Sequence, residues 1–273
     1  MSALPQQADQ PVIEVENLVT YYGEQKILDD VSLSVMEGEI MVIMGGSGSG
    51  KSTLLRYLLG LHRADAGSIR IFGKDIGRLS GKQWLELRKK MGVSFQGGAL
   101  FNSMTVGDNV CMPLREHTSL DANTMRIMSR MKLEVVNLAG FEHLMPAQLS
   151  GGMTKRAALA RALVMDPSIL FFDEPSAGLD PVVAADLDKL ILRIRDAMQV
   201  SIVVVTHELE SAFAIADRIT VLDHGRILMT GTVDEVRNST NQRVQNLLTR
   251  TSVEEPVNAD EYLQRLTEGA AWS

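Results

Sequence analysis

The sequence predicts an α/β fold built around a parallel sheet. "SILFF" (168–172) and "SIVVVT" (201–206) are short, continuously apolar runs with a helical stretch between them, a pattern typical of strands that crossover helices bury on both faces. A third apolar run, "IMVIM" (40–44), leads into a glycine-rich loop and then into "KSTLLRYLLG". That last segment has helical spacing and ends in a glycine suited to a C-cap, so a strand, a loop and a helix are predicted in succession.

The other elements are predicted from changes in periodicity along the chain. Residues 12–23, and residues 29–44 up to the apolar run at 40–44, alternate apolar and polar side chains. This pattern indicates half-buried strands of an N-terminal antiparallel layer. Between about residues 96 and 156, strand-like runs give way to helical stretches such as "DANTMRIMSRMKLEVVNLAG". We therefore expect an inserted helical subdomain at about 97–158. Thr232 and Glu235 have capping-box spacing, which predicts a helix from that point.

The C-terminal part differs in composition from the rest. After about Arg250 the sequence is polar and acidic, with one short helical candidate in "DEYLQRL". We expect one domain over residues 11–245 and a C-terminal extension over residues 246–273. Within it, "DEYLQRLTEGAAW" (260–272) carries four large apolar side chains, too few for a core of their own: Tyr262, Leu263, Leu266 and Trp272. The sequence leaves open whether the extension is disordered or docks on a partner subunit.

Composition excludes several classes of protein. The 273 residues are 45% hydrophobic, enough for one sizeable core. The net charge is −7 and no long basic run is present, so no nucleic acid is expected as a partner. The single cysteine, Cys111, forms no internal disulfide, and the start "MSALPQQADQ" has no secretory signal. We expect a cytosolic protein without a membrane helix, whose membrane role would have to come from a partner.

The glycine-rich loop "GGSGSGKST" (45–53) matches the phosphate-binding pattern G-x-x-x-x-G-K-[ST]. Glycines let backbone N–H groups converge on a phosphate, the following helix directs its positive end there, and Lys51 reaches the β and γ oxygens. Ser52 is positioned to hold Mg²⁺. Kinases, G proteins and many ATPases share such a phosphate loop. Its predicted nucleotide-binding residues are Gly45, Gly46, Ser47, Gly48, Ser49, Gly50, Lys51, Ser52 and Thr53.

"ILFFDEP" (169–175) carries the predicted catalytic carboxylates. Asp173 ends a buried strand and so lies at the carboxyl edge of the sheet, where it can bind Mg²⁺ through water. Glu174 follows it and can accept the proton of an attacking water, a general-base role worth roughly 10²–10⁴ in rate. A merely solvated strand end does not account for two carboxylates directly after four apolar residues.

Six motifs in a fixed order resemble those of ABC-type ATPases over about residues 11–245. They are "GGSGSGKST", "FQ" (95–96), "LSGGM" (149–153), "FFDEP", "SAGLD" (176–180) and "TH" (206–207). Kinases and G proteins have no reason to carry the "LSGG" loop, here named the signature loop. The resemblance implies a P-loop NTPase core of the RecA-like type. It also implies a head-to-tail dimer in which Ser150, Gly151 and Gly152 bind the γ-phosphate of the ATP held by the opposite subunit, most simply a homodimer.

The same resemblance assigns further site residues. Gln96 would couple Mg²⁺ and the attacking water to a transport partner, and His207 would contact the γ-phosphate. Asp180 would link the two ATP sites of the dimer. Tyr22 resembles the aromatic side chain that stacks on adenine, although Tyr21 beside it is an alternative. The fifth residue of the signature loop is Met153 where the family usually has glutamine, so any polar contribution from that side chain is in doubt.

"GALF", "VGDNV" and "PLREHT", all within residues 98–118, resemble the ATPases of Mla/Mce-type phospholipid transport systems. That resemblance implies a Gram-negative inner-membrane complex that maintains outer-membrane lipid asymmetry. Its members would be two ATPases on the cytoplasmic face, an integral membrane permease, a periplasmic Mce-domain lipid-binding protein and a cytosolic STAS-domain protein. Residues 97–110 are the expected permease contact. An importer ATPase for a polar solute and a soluble non-transport ABC ATPase are the alternatives.

Overall fold

The computed structural model describes residues 11–249 and residue 251. One of its two sheets is antiparallel and has the strand order β2-β1-β4-β5. Its strands are β1 (Pro11–Tyr22), β2 (Gln25–Met36), β4 (Ala66–Ile71) and β5 (Lys74–Asp75). β1 pairs with both β2 and β4, which confirms the predicted N-terminal antiparallel layer.

The second sheet has six strands in the order β10-β9-β3-β8-β7-β6. They are β3 (Ile40–Met44), β6 (Met91–Ser94), β7 (Ile169–Asp173), β8 (Ser201–Thr206), β9 (Arg218–Asp223) and β10 (Arg226–Thr232). All neighbouring pairs are parallel except β9 and β10. The parallel α/β core predicted from the three apolar runs is confirmed, and the antiparallel edge strand β10 was not predicted.

Helices connect the strands and form the inserted region. They are α1 (Lys51–Leu58), α2 (Gly81–Arg88), α3 (Val106–His117), α4 (Ala122–Val135), α5 (Gly151–Leu163), α6 (Pro181–Met198), α7 (Leu209–Ile215), α8 (Val233–Arg237) and α9 (Gln242–Leu248). The helices α3, α4 and α5 pack on one another, and α5 also packs on β6. α5 therefore connects the helical region to the parallel sheet. The capping box of Thr232 and Glu235 is present at the start of α8.

Side chains of β3 alternate between two apolar cores, one on each face of the parallel sheet. Ile40, Val42 and Met44 belong to the core that includes α3–α6. Met41 and Ile43 belong to the core that includes the antiparallel sheet and α1. This burial on both faces explains why β3 reads as an unbroken apolar run.

None of the described helices is long and apolar enough to cross a membrane. The helical candidate in "DEYLQRL" and the side chains of Tyr262, Leu263, Leu266 and Trp272 lie outside the described residues.

Candidate functional site

The phosphate loop and four other predicted site residues lie at the carboxyl edge of the parallel sheet: Gln96, Asp173, Glu174 and His207. β3, β8, β7 and β6 are consecutive neighbours in the sheet and run in the same direction. The phosphate loop follows β3, His207 follows β8, Asp173 and Glu174 stand at the end of β7, and Gln96 comes shortly after β6. In open α/β sheets this edge is where ligands bind. Residues more than a hundred positions apart are thus brought together by strand order.

The phosphate loop needs glycine at defined positions. A Cβ added to Gly45 would lie 2.1 Å from the carbonyl oxygen of Leu222 and 2.6 Å from Ser49 Oγ. Gly48 and Gly50 have φ angles of +75° and +104°, which side chains other than glycine rarely adopt. Because α1 begins directly after Gly50, its free N–H groups point at this loop, as in an anion-binding site.

Lys51 and the two carboxylates shape the electrostatics of the edge. Lys51 Nζ donates to the carbonyl oxygens of Gly45 and Gly46, both at 2.8 Å. Burial lowers the pKa of Lys51, and the charges of Glu174 and Asp173 oppose that shift. Burial, followed by the neighbouring charge of Glu174, raises the pKa of Asp173. An ionised Asp173 is therefore costly until a cation compensates its charge.

The donor set fits Mg²⁺ bound together with a nucleotide. Asp173 Oδ1 is buried and has no hydrogen-bond partner among the described residues, while Ser52 and Gln96 have exposed side chains. The part of the chain that the structure describes contains no group of three or more His, Cys, Asp or Glu residues able to hold a metal. Mg²⁺ commonly binds through one or two carboxylates plus substrate phosphates and water, and of the two carboxylates at this edge Asp173 is the one with a buried oxygen free of hydrogen bonds.

Glu174 is held in a defined orientation. It is 8% exposed, and its φ angle of +49° is unusual for a residue with a side chain. Oε2 accepts hydrogen bonds from Thr206 Oγ1 at 3.0 Å and from the His207 backbone N–H at 3.3 Å. Oε1 lies 2.8 Å from His207 Nδ1. The carboxylate and the imidazole therefore form one hydrogen-bonded group at the ends of β7 and β8.

The signature loop is exposed at the start of α5. Ser150 caps α5, and its Oγ accepts from the Met153 backbone N–H at 3.3 Å. Ser150 and Gly151 are exposed, whereas a Cβ on Gly152 would lie 2.8 Å from Val183 Cγ1. Within the described residues no hydrogen bond joins the signature loop to the phosphate loop. At position 153 the backbone N–H makes the capping bond, so this bond does not depend on the identity of the side chain there.

Tyr22 and Tyr21 differ in their surroundings. The two side chains are 50% and 43% exposed. The Tyr22 hydroxyl is 3.4 Å from Arg56 Nη1 on α1, and its ring centroid is 6.4 Å from that of His62. The Tyr21 ring instead faces Lys26, with Nζ 5.8 Å from the centroid. Contact with the helix that follows the phosphate loop favours Tyr22 as the base-stacking residue.

Asp180 caps α6. Its Oδ1 accepts from the backbone N–H groups of Val182 and Val183, both at 3.1 Å. Any role of Asp180 between two ATP sites therefore comes in addition to a local structural one.

Two basic side chains of α5 contact the site and were not predicted. Lys155 Nζ donates to the Glu174 carbonyl oxygen at 3.1 Å. The two Nη atoms of Arg161 donate to the carbonyl oxygens of Ala99 and Gly98, both at 2.8 Å, and so fix the chain just after Gln96. In the sequence both residues look like ordinary charges on a basic helix, and no local signal reveals these contacts.

Comparison with known proteins settles the family. The ABC transporter family model matches residues 28–177. The chain belongs to the ABC transporter family. As a member it is an ATP-binding subunit with ATPase activity, which confirms the identification from the six motifs.

Two relatives of this ABC protein carry different substrate names. The chain is 42% identical over 240 residues to the intermembrane phospholipid transport system ATP-binding protein MlaF of Haemophilus influenzae, covering 88% of this chain and 91% of that protein. It is 45% identical over 219 residues to the probable ribonucleotide transport ATP-binding protein mkl of Mycobacterium leprae, covering 80% of this chain but only 63% of that protein.

A solved dimeric ATP-binding cassette, in a post-hydrolysis state with ADP and Pi, has the same fold as this ABC protein. It superposes with a TM-score of 0.74 at 30% sequence identity, over 81% of this chain and 98% of that chain.

Proposed function

We propose that this chain is the ATP-hydrolysing subunit of an ABC transporter that moves phospholipid between the inner and outer membranes. The main support for phospholipid as the substrate class is the 42% identity to MlaF across 91% of that protein. The strings "VGDNV" and "PLREHT", which belong to α3 and the residue after it, support it independently, because they lie in the helical region and not in the shared nucleotide motifs.

The chemistry is hydrolysis of ATP by an activated water. Glu174 accepts the proton of the water, and His207 stabilises the γ-phosphate while it orients Glu174 through the 2.8 Å contact. The phosphate loop binds the phosphates and Tyr22 stacks on adenine. Bound Mg²⁺ supplies positive charge against the phosphate oxygens. Ser52, Gln96 and Asp173 would hold it.

Two copies of the chain form the working unit, a homodimer with two composite sites. The exposed Ser150 and Gly151 at the start of a 13-residue helix are supporting evidence, since a helix N-terminus binds phosphate and no hydrogen bond among the described residues joins them to the chain's own phosphate loop. Asp180 lies at the start of the helix that packs against Gly152, which supports a role between the two sites.

The remaining partners are proposed from the same assignment. An integral membrane permease docks on residues 97–110, a segment that includes the exposed side chain of Phe101 and closely follows that of Phe95. This contact holds the chain at the cytoplasmic face of the inner membrane. A periplasmic Mce-domain lipid-binding protein and a cytosolic STAS-domain protein complete the complex. In this assignment residues 11–245 are the ATPase domain, with the helical subdomain at about 97–158, and residues 246–273 are a partner-docking extension.

A second candidate is import of a polar solute, because the mkl relative is named for ribonucleotide transport. Replacing the chain in its own cell by the Glu174→Gln variant distinguishes the two candidate functions. Phospholipid accumulation in the outer leaflet of the outer membrane, with unchanged ribonucleotide uptake, is the expected result. Loss of ribonucleotide uptake with normal membrane lipids would refute the phospholipid assignment.

A further inference from the structure

Lys155 connects the two functional ends of one chain. It lies on the second turn of α5, five residues after the exposed Ser150 that caps this helix. Its half-buried side chain reaches the end of β7, where Nζ donates to the carbonyl oxygen of Glu174 at 3.1 Å. One side chain therefore joins the signature helix, whose loop serves the partner's ATP, to the carboxylate that serves the chain's own ATP.

The backbone at Glu174 needs support because it is strained. Its φ angle of +49° lies in the left-handed region, which is unfavourable for a glutamate. The N–H group of Glu174 donates to the Val205 carbonyl oxygen at 2.8 Å. The next residue is Pro175, which has no N–H group, so the carbonyl oxygen is the sole hydrogen-bonding group of the Glu174–Pro175 peptide.

That carbonyl oxygen has two donors of different kinds. The backbone N–H of Ala177 donates to it at 3.3 Å within the same turn. Lys155 is the donor from another element, and its ammonium group makes a charge-assisted bond, which is the stronger type. Within the described part of the chain, the hydrogen bonds to the Glu174 carboxylate come from β8 and the residue after it. Lys155 is thus the link between Glu174 and the helical region.

The residues around Lys155 are closely packed, which supports this link between Glu174 and the helical region. Next to Lys155, a Cβ on Gly152 would be 2.8 Å from Val183 on α6, and one on Gly151 would be 3.8 Å from Leu179. The signature loop therefore packs closely on the segment that follows Glu174. Burial lowers the pKa of Lys155 and the charge of Glu174 opposes this shift, in keeping with an ammonium group turned inward rather than into solvent.

We propose that Lys155 is a positioning residue for hydrolysis: it holds the Glu174 peptide in its strained conformation and makes the orientation of Glu174 depend on the position of the signature helix. Engagement of the signature loop with the partner's ATP would then be transmitted, through Lys155, to the base at the other ATP of the dimer. The inference rests on the proposed general-base role of Glu174.

Homodimers give the first test. Lys155→Met keeps the length of the side chain and removes the charge and the donor. We expect kcat for ATP hydrolysis to fall about tenfold, as for loss of one charge-assisted hydrogen bond, with unchanged KM for ATP and at most a small fall in Tm. Lys155→Arg should restore kcat. An unchanged kcat in Lys155→Met, or a loss of kcat that parallels a loss of Tm, would overturn the proposal.

Mixed dimers show on which site Lys155 acts. The reference pairs a wild-type chain with a Glu174→Gln chain, so that one competent base remains, and single-turnover hydrolysis is measured. Lys155→Met on the chain with the intact Glu174 should slow hydrolysis about tenfold, whereas on the Glu174→Gln chain it should have no effect. The reverse pattern would mean that Lys155 acts only through the signature loop on the partner's ATP, and equal loss in both would mean a structural role. Either outcome refutes the proposal. A reference dimer as active as wild type would instead refute the general-base role of Glu174.

Discussion

The two adjacent carboxylates at the end of β7 have different environments, and this difference assigns them different tasks. Glu174 has its carboxylate hydrogen-bonded to Thr206 and His207. Asp173 has a buried oxygen without a partner among the described residues. A carboxylate already oriented by donors suits proton transfer from a positioned water, and one that lacks a partner suits a cation.

Glu174→Gln tests the first task. The amide has the same shape but cannot accept a proton, so we expect hydrolysis to fall by roughly 10²–10⁴ while ATP binding persists. Phosphate release and binding of a fluorescent ATP analogue measure the two properties. Lys51→Ala is the contrasting variant and should lose nucleotide affinity itself. Hydrolysis at the parent rate in Glu174→Gln would rule out the general-base assignment.

Asp173→Asn tests the second task through pH. Because burial raises the pKa of Asp173 above its unfolded value, the folded state holds the proton more tightly. The unfolding free energy therefore falls as pH rises from about 4 through the folded pKa. Without Mg²⁺, Asp173→Asn should have a higher Tm than the parent at pH 7 to 8, and the difference should shrink towards pH 4.

The matched control for that experiment is Asp186→Asn. Asp186 is exposed on α6 and pairs with Lys189 at 3.5 Å, so its replacement should change Tm little at any pH. A lower Tm for Asp173→Asn at neutral pH would contradict the electrostatic account of the Mg²⁺ site.

At the scale of elements, helix termini carry both stability and function. Asp180 caps α6 with two backbone contacts, and Ser150 caps α5. Since both residues are also assigned to the dimer's ATP sites, a change in activity on substitution does not by itself separate the two roles.

Two variants at Asp180 separate them. Asn caps helices about as well as Asp, whereas Ala costs about 1 kcal/mol. We expect Asp180→Asn to unfold in urea at nearly the parent midpoint and yet to hydrolyse ATP more slowly, because the charge between the sites is lost. Asp180→Ala should lose both. Parent activity in Asp180→Asn would restrict Asp180 to capping.

The elements that periodicity predicted are those whose environment is uniform along their length. β3, β7 and β8 are buried on both faces and read as continuous apolar runs, and the phosphate loop is encoded by local spacing. The contacts that the sequence did not predict involve residues that are distant in sequence. Gly45 is confined by Leu222, and Lys155 reaches Glu174 only after α5 packs on β6, the neighbour of β7 in the sheet. No local pattern contains such information.

At the scale of the whole molecule, the two proposed half-sites of one chain lie on different elements. The phosphate loop, Asp173 and Glu174 share the carboxyl edge of the parallel sheet, while the signature loop is exposed on the helical side. ATP placed between two copies would use both halves, so hydrolysis and dimer closure are expected to be coupled. Under the proposed assembly, the membrane task depends on which permease docks on residues 97–110.

Affinity purification of this chain from detergent-solubilised membranes of its own cell, with mass spectrometry of the co-purifying proteins and lipids, tests the central claim most directly. The account predicts recovery of a permease, an Mce-domain protein, a STAS-domain protein and phospholipid. Recovery of a different permease with a polar-solute-binding protein, or of ribosomes without a membrane partner, would contradict it.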